Sequence, residues 1–182
     1  MKHTSGGFAV LACLAMTACG APDSVQGDES ATMGVTRQAF TTYNYLQNKQ
    51  YGQYATAPGG ALNVTLKLSS YTSTPLQDMR WLFMPVGPAN TYYFVNQAGG
   101  LCMEVNNGTA TPGERIDAYT CNGSAAEQWV RTDIVIGGLS YAQFKHVGTN
   151  QCLDTVGSAN SELMQWTCDP IGSNFTQLWR VY

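Results

Sequence analysis

The sequence is poor in charge. Only 12% of its 182 residues are Asp, Glu, Lys or Arg, and the net charge is −3. Its Lys and Arg form no cluster, which argues against a phosphate-binding surface, so no nucleic-acid partner is expected. Histidine is scarcer still: apart from His3 at the extreme N-terminus, only His146 is present. A single histidine beside Phe144 in an apolar strand reads as a structural residue. The chain lacks a Gly-x-Ser-x-Gly elbow, a His-Glu-x-x-His pair and a phosphate-cradling glycine loop. Its acids are few and scattered, without the facing pair that glycoside hydrolysis requires. No Cys-x-x-Cys spacing offers a zinc site. The expectation is a non-enzymatic protein with no cofactor and no metal. No long segment carries helical periodicity. The apolar run Phe8–Met16 is too short to span a bilayer.

Glycine (19) and tyrosine (10) are abundant, as suits short strands joined by many turns. The fold class expected is all-β. The N-terminus carries Lys2, the apolar run, and then small residues Thr17 and Ala18 before Cys19. This resembles a bacterial lipoprotein signal, with Met16 where leucine is usual. The resemblance implies a signal peptide over residues 1–18 and a lipid anchor on Cys19. Gly20 after the cysteine, rather than aspartate, points to the outer membrane of the bacterial cell envelope. The alternative is an ordinary signal cut after Ala18 or Ala21, which would leave a secreted protein. Residues 19–39 hold Pro22, Asp23, Ser24, Gly27, Asp28 and Glu29 with almost no bulky apolar side chain. They read as a flexible tether. Residues 40–182 form the domain.

Two stretches of that domain repeat each other. Cys102-Met103-Glu104, Ala118-Tyr119-Thr120-Cys121 and Glu127-Gln128-Trp129 form the first. Cys152-Leu153-Asp154, Gln165-Trp166-Thr167-Cys168 and Gln177-Leu178-Trp179 form the second. Cys152 follows Cys102 by 50 residues, Cys168 follows Cys121 by 47, and Trp179 follows Trp129 by 50. A worn copy precedes them, ending at Trp81, with Tyr54 and Tyr71 where the cysteines stand and a bulky contact expected in place of the staple. A repeat near 48 residues means one supersecondary unit used three times. The copies run 40–87, 88–137 and 138–182. Each reads as four short strands: Tyr43–Gln47, Gln53–Thr56, Thr65–Leu68 and Arg80–Met84 in copy one. Copy two has Tyr92–Asn96, Leu101–Val105, Ile116–Tyr119 and Gln128–Arg131. Copy three has Ala142–His146, Gln151–Thr155, Leu163–Trp166 and Leu178–Val181. With Cys13 in the signal and Cys19 lipidated, four cysteines remain, an even number in an exported chain. Three pairings are possible. The repeat favours Cys102 with Cys121 and Cys152 with Cys168.

Three four-stranded copies, each ending in Gln-x-Trp or a variant, resemble the ricin-type lectin family. The resemblance covers about 140 residues and implies a β-trefoil and carbohydrate binding. Copy three carries the motif best, and copy two has Glu104 for Asp and Glu127 for Gln. Trp81, Trp129 and Trp179 are expected in the core. In the family a carboxylate follows the first cysteine and an aromatic precedes the second. The resemblance therefore implies carbohydrate-binding roles for Asp154, Trp166 and Gln177 in copy three, and for Glu104 and Tyr119 in copy two. Thr56 and Ser69 leave copy one without charge or ring. Thr176 and Ala126 stand where the family has an amide, and Met164 replaces another polar residue; Asn174 or Asn160 could compensate. The expected function is a non-catalytic, membrane-tethered lectin that binds glycans or polysaccharide. The alternative is a protein-interaction or toxin-delivery subunit resembling the binding subunits of cytolethal distending toxins. An exposed patch of Tyr92, Tyr93 and Trp166 would mark that reading.

Overall fold

Six strands close a barrel in the computed structural model, which describes residues 42–182. They are β1 (Tyr43–Asn48), β5 (Arg80–Pro85), β6 (Thr91–Asn96), β9 (Trp129–Ile136), β10 (Leu139–His146) and β13 (Trp179–Val181). Each pairs antiparallel with the next, and β13 returns to β1. Three hairpins cap one end: β2 (Tyr54–Thr56) with β4 (Lys67–Ser69), β7 (Cys102–Val105) with β8 (Ile116–Tyr119), and β11 (Cys152–Thr155) with β12 (Leu163–Trp166). This is the β-trefoil that the family resemblance implies. The expected signal peptide over 1–18, lipid on Cys19 and tether over 19–39 fall on residues outside the described ones.

Two strand expectations are corrected. The third strand of copy one is broken into β3 (Val64–Thr65) and β4. The cause is Leu66, whose N–H bonds to the Ile116 carbonyl and whose carbonyl accepts from Leu163 N–H, each at 2.8 Å. Its backbone serves the neighbouring copies instead of its own hairpin. The ribbon β9–β10 is also longer than expected, eight residues on each strand. Its turn is Gly137-Gly138, at φ 60° and 80°. A two-residue turn with both φ positive continues the twist of its flanking strands, so pairing runs to the tip.

The core follows the threefold pattern. Trp81, Trp129 and Trp179 are fully buried. Each indole Nε1 donates to a carbonyl 26 residues earlier: Ala55 at 2.9 Å, Met103 at 3.1 Å and Leu153 at 3.2 Å. A buried indole N–H needs such a partner. Phe83, Phe94 and Phe144 meet inside the barrel at centroid separations of 4.6, 4.9 and 6.0 Å. Disulfides join Cys102 to Cys121 and Cys152 to Cys168, the pairing that the repeat favours. In copy one Tyr54 and Tyr71 stand in their place with ring centroids 5.8 Å apart, and Tyr45 packs against both. An aromatic contact replaces the covalent staple.

His146 falls at the position of Asn48 and Asn96 in the other copies. Asn48 Oδ1 accepts from Gln50 and Tyr51 N–H, and Asn96 Oδ1 accepts from Ala98 and Gly99 N–H. His146 Nδ1 likewise accepts from Thr149 N–H at 3.2 Å. The imidazole thus holds a turn, and its acceptor nitrogen must stay unprotonated. Burial lowers its pKa, and the Ala126 and Ala125 carbonyls offset this only in part. The folded state therefore resists charging His146, while the unfolded state charges it near pH 6.5. This stabilisation is complete above that value and is lost as pH falls through the lower folded value. Unfolding free energy should decline as pH falls below about 6.5. His146→Asn, which installs the residue of the other copies, should flatten that decline in urea titrations. An equal slope in the variant would refute the assignment.

Candidate functional site

Strands β11 and β12 build one cleft in copy three. Asp154 lies opposite Met164, and Cys152 opposite Trp166. Alternation along the strands sends Asp154, Met164 and Trp166 to one face. The turn after Cys168 brings Asn174 and Thr176 to the same cleft, whose volume is about 240 Å³. The indole of Trp166 is 45% exposed. Gly113 of copy two lies beneath it; a Cβ there would sit 3.0 Å from the ring, and φ is +87°. A side chain at this glycine would push the indole out of place.

Asp154 is only 6% exposed and firmly held. Its Oδ1 accepts from Thr155 N–H at 2.6 Å and its Oδ2 from Gln177 Nε2 at 2.9 Å. Gln177 is fully buried, which corrects the expectation that it touches a ligand. Its amide also donates to the Thr167 carbonyl, and its oxygen accepts from Asp169 N–H and Gln143 Nε2. It fixes the carboxylate from behind. Asn174 donates to Asp169 Oδ2 at 2.7 Å and accepts from the Thr176 hydroxyl at 2.7 Å. It lines the cleft, whereas Asn160 belongs to the turn before β12, with its N–H on the Leu68 carbonyl.

Copy two forms a second cleft of about 170 Å³, lined by Asn63, Glu104, Asn106, Asn107, Asp117 and Tyr119. Glu104 lies opposite Asp117, and Cys102 opposite Tyr119, the same register as in copy three. Tyr119 is 39% exposed. Asp117 went unremarked in the sequence, although the repeat aligns it with Met164. Its Oδ2 accepts from Arg115 Nε at 3.0 Å and Asn106 Nδ2 at 2.5 Å. Glu127 occupies the place of Gln177 and is fully buried. Its two oxygens accept from Asn122 and Gly123 N–H at 2.8 and 2.9 Å. A carboxylate cannot donate as Gln177 does. Glu104 therefore titrates above the ordinary carboxylate range, first through burial and then through the charges of Glu127 and Asp117.

Copy one has neither feature. Thr56 is buried with its hydroxyl on the Tyr54 carbonyl, and Met79 fills the position of Gln177. The two real clefts each offer a carboxylate beside an exposed ring. Such a pair can accept from hydroxyl groups and stack on a face of C–H bonds.

Comparison with known proteins agrees with this fold. No curated protein matches the sequence. ThreeFoil, a designed threefold-symmetric protein, is similar in structure with a TM-score of 0.68 at 19% identity, over 76% of this chain and 96% of that one. A lectin of Polyporus squamosus, solved with the epitope Neu5Aca2-6Galb1-4GlcNAc, gives 0.65 at 22% identity over 76% of this chain. This chain spans about half of that lectin (48%). A chain of the Haemophilus ducreyi cytolethal distending toxin gives 0.61 at 18% identity, over 81% of this chain and 86% of that one. The family described as ricin-type beta-trefoil lectin domain-like matches residues 77–166, spanning the end of copy one, all of copy two and the start of copy three. The chain has a β-trefoil fold, and its residues 77–166 are similar to the ricin-type lectin-like family.

Proposed function

We propose that the protein is a non-catalytic carbohydrate-binding protein, held on the exported side of the bacterial envelope by lipid on Cys19. The observation that carries the reading is the exposed Trp166 beside Asp154, whose carboxylate Gln177 fixes. A sugar ring stacks on the indole while its hydroxyls donate to the carboxylate. Binding through one or two shallow clefts is weak, and clustering on a membrane raises avidity. The envelope location rests on the N-terminal residues alone. Secretion of the free domain is the alternative, and radiolabelled palmitate incorporation, lost in Cys19→Ala, separates the two.

A glycan array run with the protein, Asp154→Ala and Trp166→Ala tests the site. Each substitution should weaken retention of copy-three ligands by roughly tenfold or more, as expected for losing a charged acceptor or an aromatic platform. Undiminished retention in both variants would sink the assignment.

The second reading, an interaction or toxin-delivery subunit, has its own support. Tyr92 and Tyr93 do not join Trp166 in one patch: as successive strand residues they face opposite sides, and both are half-buried. Other exposed aromatics gather around Tyr45 and Tyr54 of copy one. Tyr71 and Tyr182 are exposed and pack against both rings, with Arg80 over the Tyr45 ring and Arg180 over that of Tyr182. Tyrosine and arginine together are typical of interface hot spots. A co-purifying partner released by Tyr71→Ser, with no glycan bound, would favour this reading.

A further inference from the structure

Copies two and three differ where it matters for ligand charge. In copy three the positions equivalent to Glu104, Asp117 and Glu127 hold Asp154, Met164 and Gln177. One carboxylate there receives a proton donor from the protein. Copy two has three carboxylates in the same places, with a single guanidinium, Arg115, that reaches only Asp117. No donor reaches Glu104 Oε2 or Asp117 Oδ1. Asp117 is only 4% exposed, so solvent does little to screen it. The floor of this cleft therefore holds uncompensated negative charge and unused acceptors. The exposed ring of Tyr119 stands beside it.

From this we propose that the copy-two cleft selects a cationic amino sugar: a 2-amino-2-deoxy hexose whose nitrogen is a free ammonium. The inference rests on the lectin reading above and names the ligand class of its second site. An ammonium brings three donors and no acceptor, which suits a floor made of acceptors. The tyrosine ring takes the sugar's C–H face and attracts the charge. An N-acetyl group would remove the charge and place a carbonyl oxygen near Glu104 and Asp117. A divalent metal fits less well. Calcium takes six to eight oxygen ligands. Among the described residues no three side chains of the acidic, histidine or cysteine kind are placed to hold a metal ion. Asp117 Oδ2 and Asn106 Oδ1 are also engaged already, by Arg115 and Asn106 and by Asn107 respectively.

The test is calorimetric titration of the full chain carrying Trp166→Ala, which silences copy three. The probes are a β-1,4-linked glucosamine tetramer and its fully N-acetylated counterpart, at near-neutral pH. The amine should bind at least roughly tenfold tighter, as expected for a charge-assisted contact, and its affinity should fall with added salt. Glu104→Gln and Asp117→Asn, each nearly isosteric, should erase the preference while thermal unfolding shows them folded. Equal affinity for both tetramers would overturn the proposal. So would a preference that survives both substitutions. Calcium chloride that binds this cleft in place of the amine would overturn it as well. Neutral glycans still held by wild-type copy three would confine that failure to this inference. Loss of all glycan binding would carry the lectin reading down with it.

Discussion

Reducing both disulfides is expected to remove most of the domain's stability. Each closes a loop spanning 19 or 16 positions of sequence, Cys102 to Cys121 and Cys152 to Cys168. Constraint of the unfolded chain makes each worth about 3 kcal/mol. The pair therefore accounts for about 6 kcal/mol, against a net stability of roughly 5–15 kcal/mol for a domain. The two bonds sit in different copies, so their effects should add. Copy one shows what a lobe does without a staple: Tyr45, Tyr54 and Tyr71 cluster, and Tyr54 shares a hydrogen bond with Tyr182 at 2.6 Å. Such ring pairs contribute about 0.5–1.5 kcal/mol each beyond burial. Copies two and three have no such cluster in reserve. The measurement is urea unfolding of oxidised and reduced protein, with free thiols counted. An unchanged midpoint with all four thiols free would refute the estimate.

What the sequence made legible is what the repeat multiplies. Trp81, Trp129 and Trp179, the hairpin strands Ile116–Tyr119 and Leu163–Trp166, and the two staples recur at equivalent offsets. Repetition separates them from chance, so they could be read by position alone. The broken strand at Leu66 could not, because its backbone partners Ile116 and Leu163 belong to other copies. The long β9–β10 ribbon was legible in principle: Ile134-Val135-Ile136 before Gly137-Gly138 is a hairpin signal. Site residues divide in the same way. Asp154 and Trp166 carry a family pattern, and the structure brings them to one cleft. Gln177 carries the pattern too, but burial decides its role, and burial depends on Gln143 and Asp169 arriving from elsewhere. Asp117 was missed for a different reason. The family pattern draws attention to what is retained, whereas Asp117 is a substitution that gains meaning only opposite Glu104.

Exchanging the residue behind the carboxylate should convert one kind of cleft into the other. Gln177→Glu is expected to destabilise the domain at neutral pH by about 3–5 kcal/mol, the usual cost of an uncompensated buried charge. Two donated hydrogen bonds vanish, those to Asp154 Oδ2 and the Thr167 carbonyl. Two carboxylates then face each other away from water, and one must take up a proton. Its folded pKa lies above its unfolded value, so stability is restored as pH falls and lost as pH rises through the folded value. The deficit should thus be large at pH about 7.5 and small near pH 4.5. Retention of neutral glycans by copy three should fall with it at the higher pH. Urea titrations at both pH values decide the matter, and a deficit that grows on acidification would refute it. The reverse change tests the same physics in copy two. Glu127→Gln removes one of the two neighbouring charges that, after burial, hold Glu104 above the ordinary range. Glu104 should then titrate at lower pH, as followed by its side-chain carboxyl resonance. An unmoved titration would show that the Glu127 charge does not contribute to its value.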